Sequence, residues 1–150
     1  MKLNNVQHIG IVVSDLERSL KFYQDLTGGQ VVFTNPMYGR RVGMGMGIDN
    51  PNLRFSMLQV ENTILEFIAY QQPVSRAYDR VNSDLGINHI AFEVNDIQQA
   101  YEQLRSKGIA FVHEPHTFTQ DDGAPDVQGN AFAYFKDPDG LNVEIFQSAK

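Results

Sequence analysis

The chain contains no cysteine. That excludes a disulfide framework, a thiolate metal site and a cysteine nucleophile. Any metal would have to be held by His, Asp or Glu, and only four His are present: His8, His89, His113 and His116. Basic runs are missing as well. The formal net charge is −6 and no cluster of Lys or Arg offsets it locally, which argues against nucleic acid as a partner, because phosphate backbones draw clustered cations. No apolar stretch approaches the roughly 20 residues that cross a bilayer. Met1-Lys2-Leu3-Asn4-Asn5 lacks the apolar character of a signal peptide. The expectation is a cytoplasmic protein with no membrane partner. What remains is an ordinary globular composition. With 42% hydrophobic and 20% charged residues over 150 positions, the chain can build one domain with a core.

The informative feature is an internal repeat. His8-Ile9-Gly10-Ile11-Val12-Val13-Ser14-Asp15-Leu16 matches His89-Ile90-Ala91-Phe92-Glu93-Val94-Asn95-Asp96-Ile97, with His, Ile, Val, Asp and an aliphatic residue at the same offsets. Each stretch leads into a helical pattern. Ser14 opens a capping box with Glu17, and Leu16, Leu20, Tyr23 and Leu26 follow at helical spacing. Asn95 is placed to cap the second helix, Ile97, Tyr101 and Leu104 carry its apolar stripe, and Gly108 ends it. The halves also close alike. Ile64-Leu65-Glu66-Phe67-Ile68 parallels Asn142-Val143-Glu144-Ile145-Phe146. Turn residues precede both, and before those turns lie strand-like runs at 53–60 and 131–136. The predicted architecture is α+β. A single domain, 1–150, holds two βαβββ modules, about 4–70 and 86–148, joined by a connection at about 71–85 with a short helix near 77–81.

Strand side chains alternate between faces. Ile9, Ile11 and Val13 should pack under the first helix, which leaves His8, Gly10 and Val12 opposite. Ile90, Phe92 and Val94 leave His89, Ala91 and Glu93 opposite in the same way. Glu66 lies back to back with Leu65 and Phe67, and Glu144 with Val143 and Ile145. All four polar residues therefore fall on the face away from the helices, which lines one concave cleft if the sheets curve. A carboxylate set in Ile-Leu-Glu-Phe-Ile costs several kcal/mol to bury unpaired, and a dication removes that cost. A lone His at a strand start is usually structural. Its recurrence with Glu at equivalent places in both halves is what points to a metal. His8, Glu66, His89 and Glu144 would suit one divalent ion: Zn, Ni, Co, Mn or Fe(II).

At these residues the sequence resembles the vicinal oxygen chelate superfamily, which includes glyoxalase I, methylmalonyl-CoA epimerase, extradiol dioxygenases, and the fosfomycin- and bleomycin-resistance proteins. The carriers are His8 through Leu16, Leu65-Glu66, Asn88-His89-Ile90-Ala91-Phe92, Phe135-Lys136-Asp137-Pro138-Asp139-Gly140 and Val143-Glu144. The resemblance implies paired modules forming a cleft around one metal, a small-molecule substrate whose neighbouring oxygens chelate it, and an enediolate, enolate or oxyanion stabilised there. The ligand set is most similar to that of glyoxalase I, whose members have His, Glu, His and Glu at these positions. By that analogy the enzyme is a lyase or isomerase with Glu144 as base and Glu66 as its partner or alternate. A homodimer is also implied. Val12 stands where glyoxalase I commonly has an Arg for glutathione, and epimerases usually have Gln where Glu66 stands. The alternatives are a ring-cleaving dioxygenase, a fosfomycin-type thiol transferase, or a resistance-type protein that sequesters a ligand without chemistry. Dioxygenases use three protein ligands, so Glu66 counts against them.

Other residues carry weaker signals. Gly43, Gly45 and Gly47 alternate with Met44 and Met46, which reads as a strand or loop whose glycines permit close approach rather than a dinucleotide site. Tyr38, Arg40 and Arg41 are candidates for holding a substrate carboxylate or phosphate. His116, with His113, sits in a loop-like segment and is a weaker candidate for touching substrate. Residues 118–130 read as a loop over the cleft. Asp137-Pro138-Asp139-Gly140 reads as a tight structural turn.

Overall fold

The computed structural model describes residues 4–77 and 79–150. It divides into two compact units, Met1–Ala77 and Tyr78–Lys150. In the first, β1 (Ile9–Val12) leads through α1 (Leu16–Thr27) to β2 (Gln30–Tyr38), α2 (Arg40–Met46), β3 (Asn52–Val60) and β4 (Thr63–Gln72). In the second, β5 (His89–Glu93) leads through α3 (Ile97–Ser106) to β6 (His116–Thr117), two 3₁₀ turns at Gln120–Asp122 and Pro125–Val127, then β7 (Ala131–Lys136) and β8 (Asn142–Gln147). The sheet orders are β1-β4-β3-β2 and β5-β8-β7-β6. These are the same topology twice, with the first strand of each module parallel to its last. The expected α+β class and the two βαβββ modules are both found.

Each sheet buries one face beneath its own helix. In the first unit Leu16, Leu20 and Tyr23 of α1 meet Leu65 and Phe67, all buried, with the Tyr23 and Phe67 rings 4.8 Å apart. In the second, Tyr101 of α3 packs on Phe111 at 4.8 Å, and Phe111 packs on Phe135 at 5.0 Å. Each fully buried Leu or Phe contributes about 1.5–3 kcal/mol. This is the alternation read from the sequence: Ile11 and Val13 are buried and Val12 is exposed.

Several local expectations shift. The N-caps are Asp15 and Asp96, one residue beyond Ser14 and Asn95; each carboxylate accepts the backbone N–H three residues on, from Arg18 and Gln99, at 2.9 Å. A fixed carboxylate is a better acceptor than a hydroxyl for the helix's first free N–H groups. Ser14 accepts instead from the Arg18 guanidinium at 2.8 Å. The glycine run is a helix, α2, and not a strand or loop. Close approach does hold at Gly43, where a Cβ would come within 2.2 Å of the Ile48 carbonyl oxygen; nothing lies near one at Gly45. Of the helix expected at 77–81, Tyr78 lies outside the described residues, and the other four residues are not helical. Among the described residues no helix is long and apolar enough to cross a membrane.

The Asp137–Gly140 turn is as expected. Buried Asp137 accepts the N–H groups of Asp139 at 2.9 Å and Leu141 at 2.8 Å, and Gly140 has φ 92°. That turn fixes the register of β7 on β8, and hence what faces Glu144.

Candidate metal centre

Each module brings one His and one Glu together. His8 Nε2 lies 3.2 Å from Glu66 Oε2, and His89 Nε2 lies 2.9 Å from Glu144 Oε2. The two pairs arise from the same register. Glu66 faces Gly10 across the β1–β4 ladder, and Glu144 faces Ala91 across β5–β8. Each Glu is therefore opposite the residue two places after the His, and the contact is diagonal. A small residue at that place leaves room for the carboxylate to lean toward the imidazole. A Cβ on Gly10 would sit 3.6 Å from Glu66 Oε2, an ordinary contact.

The imidazoles are oriented from behind, again in both modules alike. His8 Nδ1 meets the side-chain oxygen of Gln7, and His89 Nδ1 meets that of Asn88 at 3.0 Å. An amide oxygen only accepts, so Nδ1 carries the proton and Nε2 is turned to the carboxylate. In the second unit this support is itself supported. Asn88 donates to the Asn82 carbonyl, and Asn142 donates to Asn82 Oδ1 at 2.7 Å and to the Asn88 carbonyl at 3.2 Å. Sequence reading missed Gln7, Asn82 and the role of Asn88. Gln7 and Asn88 were visible as an amide residue before each His of the repeat.

The carboxylates differ in their neighbours. Glu144 is 6% exposed. Across β7–β8 it faces Tyr134, and across β3–β4 Glu66 faces Met57. The Tyr134 phenol is pushed up to about 12, first by burial, then by the Glu144 charge and by its hydrogen bond to that carboxylate. It stays a neutral donor. Its ring packs edge-on to His89 at 5.3 Å. In the first unit, Tyr70 is raised by burial and by the charge of Glu66. Neither tyrosine was singled out from sequence; the signal was the strand register, which places Tyr134 opposite Glu144 once the Asp137–Gly140 turn is recognised.

The residues present fit a divalent ion. An Nε2 lone pair aimed at a carboxylate oxygen needs a cation between them, either a proton or a metal. Two ligands each about 2.1 Å from one ion, about 90–110° apart, lie about 3.0–3.4 Å from one another, close to the separations within both pairs. The held Nδ1 protons supply the outer support that metal-bound histidines usually have. Asn142, on the His89 face of β8, also keeps a buried Oδ1 with no donor among the described residues. Within each unit the described His and carboxylates gather as a pair and not as a set of three or more.

The other candidates lie elsewhere. Tyr38 is level with Asn52 and Gln72, whereas Glu66 is level with Met57 and Phe33. Five residues of strand separate those rows, about 16 Å. Tyr38 borders a pocket with Asn50, Pro51 and Gln72, and Arg40 and Arg41 are exposed at the start of α2. The structure does not bring these three to the His8–Glu66 pair, because β2 runs away from it. His113 is exposed, with its ring on the Glu114 carbonyl. His116 sits on the same sheet face as Glu144, paired with Asp122 at 3.1 Å.

Comparison with known proteins gives one consistent picture. The sequence profile of the Glyoxalase/Bleomycin resistance protein/Dioxygenase superfamily matches residues 5–145. A 2-epi-5-epi-valiolone epimerase from Actinomyces is 30% identical, over 93% of this chain and 77% of its own length. A lactoylglutathione lyase from Haemophilus influenzae is 25% identical, over 95% of this chain and 92% of its own. Among solved structures, a glyoxalase family protein from Bacillus cereus superposes with a TM-score of 0.83 at 18% identity, covering 100% of this chain and 97% of that one.

Proposed function

The chain belongs to the Glyoxalase/Bleomycin resistance protein/Dioxygenase superfamily, and from that premise we propose that it is a divalent-metal-dependent lyase or isomerase acting on a small substrate with neighbouring oxygens. The observation that carries this reading is the duplicated His–Glu pair, 3.2 Å and 2.9 Å, in one register, with each imidazole held at Nδ1 by the preceding amide side chain. A binding module with no chemistry needs no such duplication. Each pair supplies two ligands, so His8, Glu66, His89 and Glu144 make the full set when two pairs meet, from one chain or from two. The ion would polarise the substrate's adjacent oxygens as a Lewis acid.

The chain's own residues do the rest. Glu144 takes a proton from the carbon beside the substrate carbonyl, and the C–H electron pair moves into the enolised substrate. The proton returns to the neighbouring carbon or to the original one. Tyr134, a neutral phenol bonded to Glu144, keeps the carboxylate aimed without adding charge. Glu66 is the partner or alternate base. A lyase and an epimerase among the relatives both fit this proton transfer.

The test is exchange of carbon-bound hydrogen. Incubated in D2O with a panel of α-hydroxyketones, wild type should wash deuterium into the position beside the carbonyl, read by proton NMR. Glu144→Gln should fold normally and lose about 10²–10⁴ of that rate. Wild-type exchange in the variant would show that Glu144 is not the base.

A further inference from the structure

The second sheet carries a surface that the proton transfer does not use. His116 faces Phe132 across β6–β7, and Phe132 faces Phe146 across β7–β8. One step along the strands, Tyr134 faces Glu144. Partners across a ladder share a face, so all five line one surface. Their rings touch in series. His116 to Phe132 is 5.5 Å, Phe132 to Tyr134 is 5.4 Å, and Tyr134 to His89 is 5.3 Å. Phe118 packs on His116 at 5.5 Å and on Phe132 at 5.1 Å. Phe118, Phe132 and Tyr134 are all partly exposed.

At the far end of this wall His116 is fixed. Its Nε2 lies 3.1 Å from Asp122 Oδ1. The other Asp122 oxygen accepts from the Thr119 backbone at 2.7 Å and its hydroxyl at 3.0 Å. These two donors, with His116 a smaller cause, hold the Asp122 carboxyl below its ordinary value, so it stays an ionised acceptor. In the neutral imidazole, a proton on Nε2 facing that carboxylate leaves the lone pair on Nδ1. Nδ1 has no partner among the described residues, and the side chain is 45% exposed. Backbone bonds from Phe118 to Asn130 and from Gly129 to Phe118, each 2.9 Å, already close the 118–130 loop at its base.

We propose that the His116–Asp122 dyad and the Phe118–Phe132–Tyr134 wall recognise the non-reacting end of the substrate: a hydroxyl group, donated to His116 Nδ1, on an apolar, ring-sized body lying along the wall. This rests on the reading of His89–Glu144 as the reacting end. β6 and β8 are two strand spacings apart, about 10 Å, which suits a ring placed between vicinal oxygens at one end and a hydroxyl at the other.

Mandelate and 4-hydroxymandelate carry the vicinal oxygens and the ring, and differ only in the far hydroxyl. Calorimetric titration of the metal-loaded protein should show 4-hydroxymandelate binding about tenfold more tightly. His116→Phe keeps a ring in place and should abolish the difference while leaving mandelate affinity and metal content unchanged. Asp122→Asn should reduce the difference. A wild type that binds neither compound, or binds both equally, overturns the proposal, as does a preference that survives in His116→Phe. Metal content is measured on the same samples. Its absence from wild type would sink the metal-centre reading, whereas metal present with no hydroxyl preference sinks the dyad alone.

Discussion

A histidine beside a glutamate is common on protein surfaces, and most such pairs contribute little. What sets His8–Glu66 and His89–Glu144 apart is what stands around them. The residue opposite each Glu is Gly10 or Ala91, and the residue before each His is Gln7 or Asn88. Both neighbours would act on a bound metal through its ligand and without touching it. Asn88→Ala should therefore weaken metal binding about 10–100-fold while near-ultraviolet circular dichroism stays native. Unchanged affinity in competition with a metallochromic dye would show that the ring is held by packing alone. Gly10→Ala should be tolerated, since its Cβ would make only ordinary contact with Glu66 and Ala91 fills the same place in the other module. Gly10→Val should displace the carboxylate and lower affinity about tenfold or more; equal affinity in both variants would contradict the diagonal geometry.

The elements were largely legible because each repeats. Period-two alternation in β1 and β5 put the aliphatic residues under the helices and the His on the other face, and the burial pattern agrees. The starts of the helices were misread by one residue. Ser14 and Asn95 are good caps by type, but the side chain that reaches the free N–H groups is Asp, at the one capping position where the two halves share a residue. Asp15→Ala and Asp96→Ala should each cost about 1 kcal/mol in denaturant unfolding, and Ser14→Ala much less. Equal losses at Ser14 and Asp15 would restore the hydroxyl as cap. α2 was not legible, because two glycines within its seven residues and a third directly after them argue against a helix on propensity. It forms where only Gly43 can pass the Ile48 carbonyl. Tyr134 was hidden for a different reason: its importance lies in a pairing register, which hydropathy does not show.

At the scale of the whole molecule, the acidic balance of the chain, −6, sits easily with metal binding at carboxylates and poorly with polyanionic partners. The outer strand β2 exposes Val31, Val32 and Phe33 at 39%, 57% and 42%. An apolar edge of that kind is commonly covered by a partner. A homodimer is accordingly expected, with light scattering reporting twice the 16.9 kDa of the chain; a monomer mass at working concentration would contradict it. The most direct measurement is metal stoichiometry. Protein purified and equilibrated with a divalent ion should retain one ion per chain by inductively coupled plasma mass spectrometry, and both His8→Ala and His89→Ala should lose it. Wild type without stoichiometric metal, or either variant with a full complement, would contradict the account.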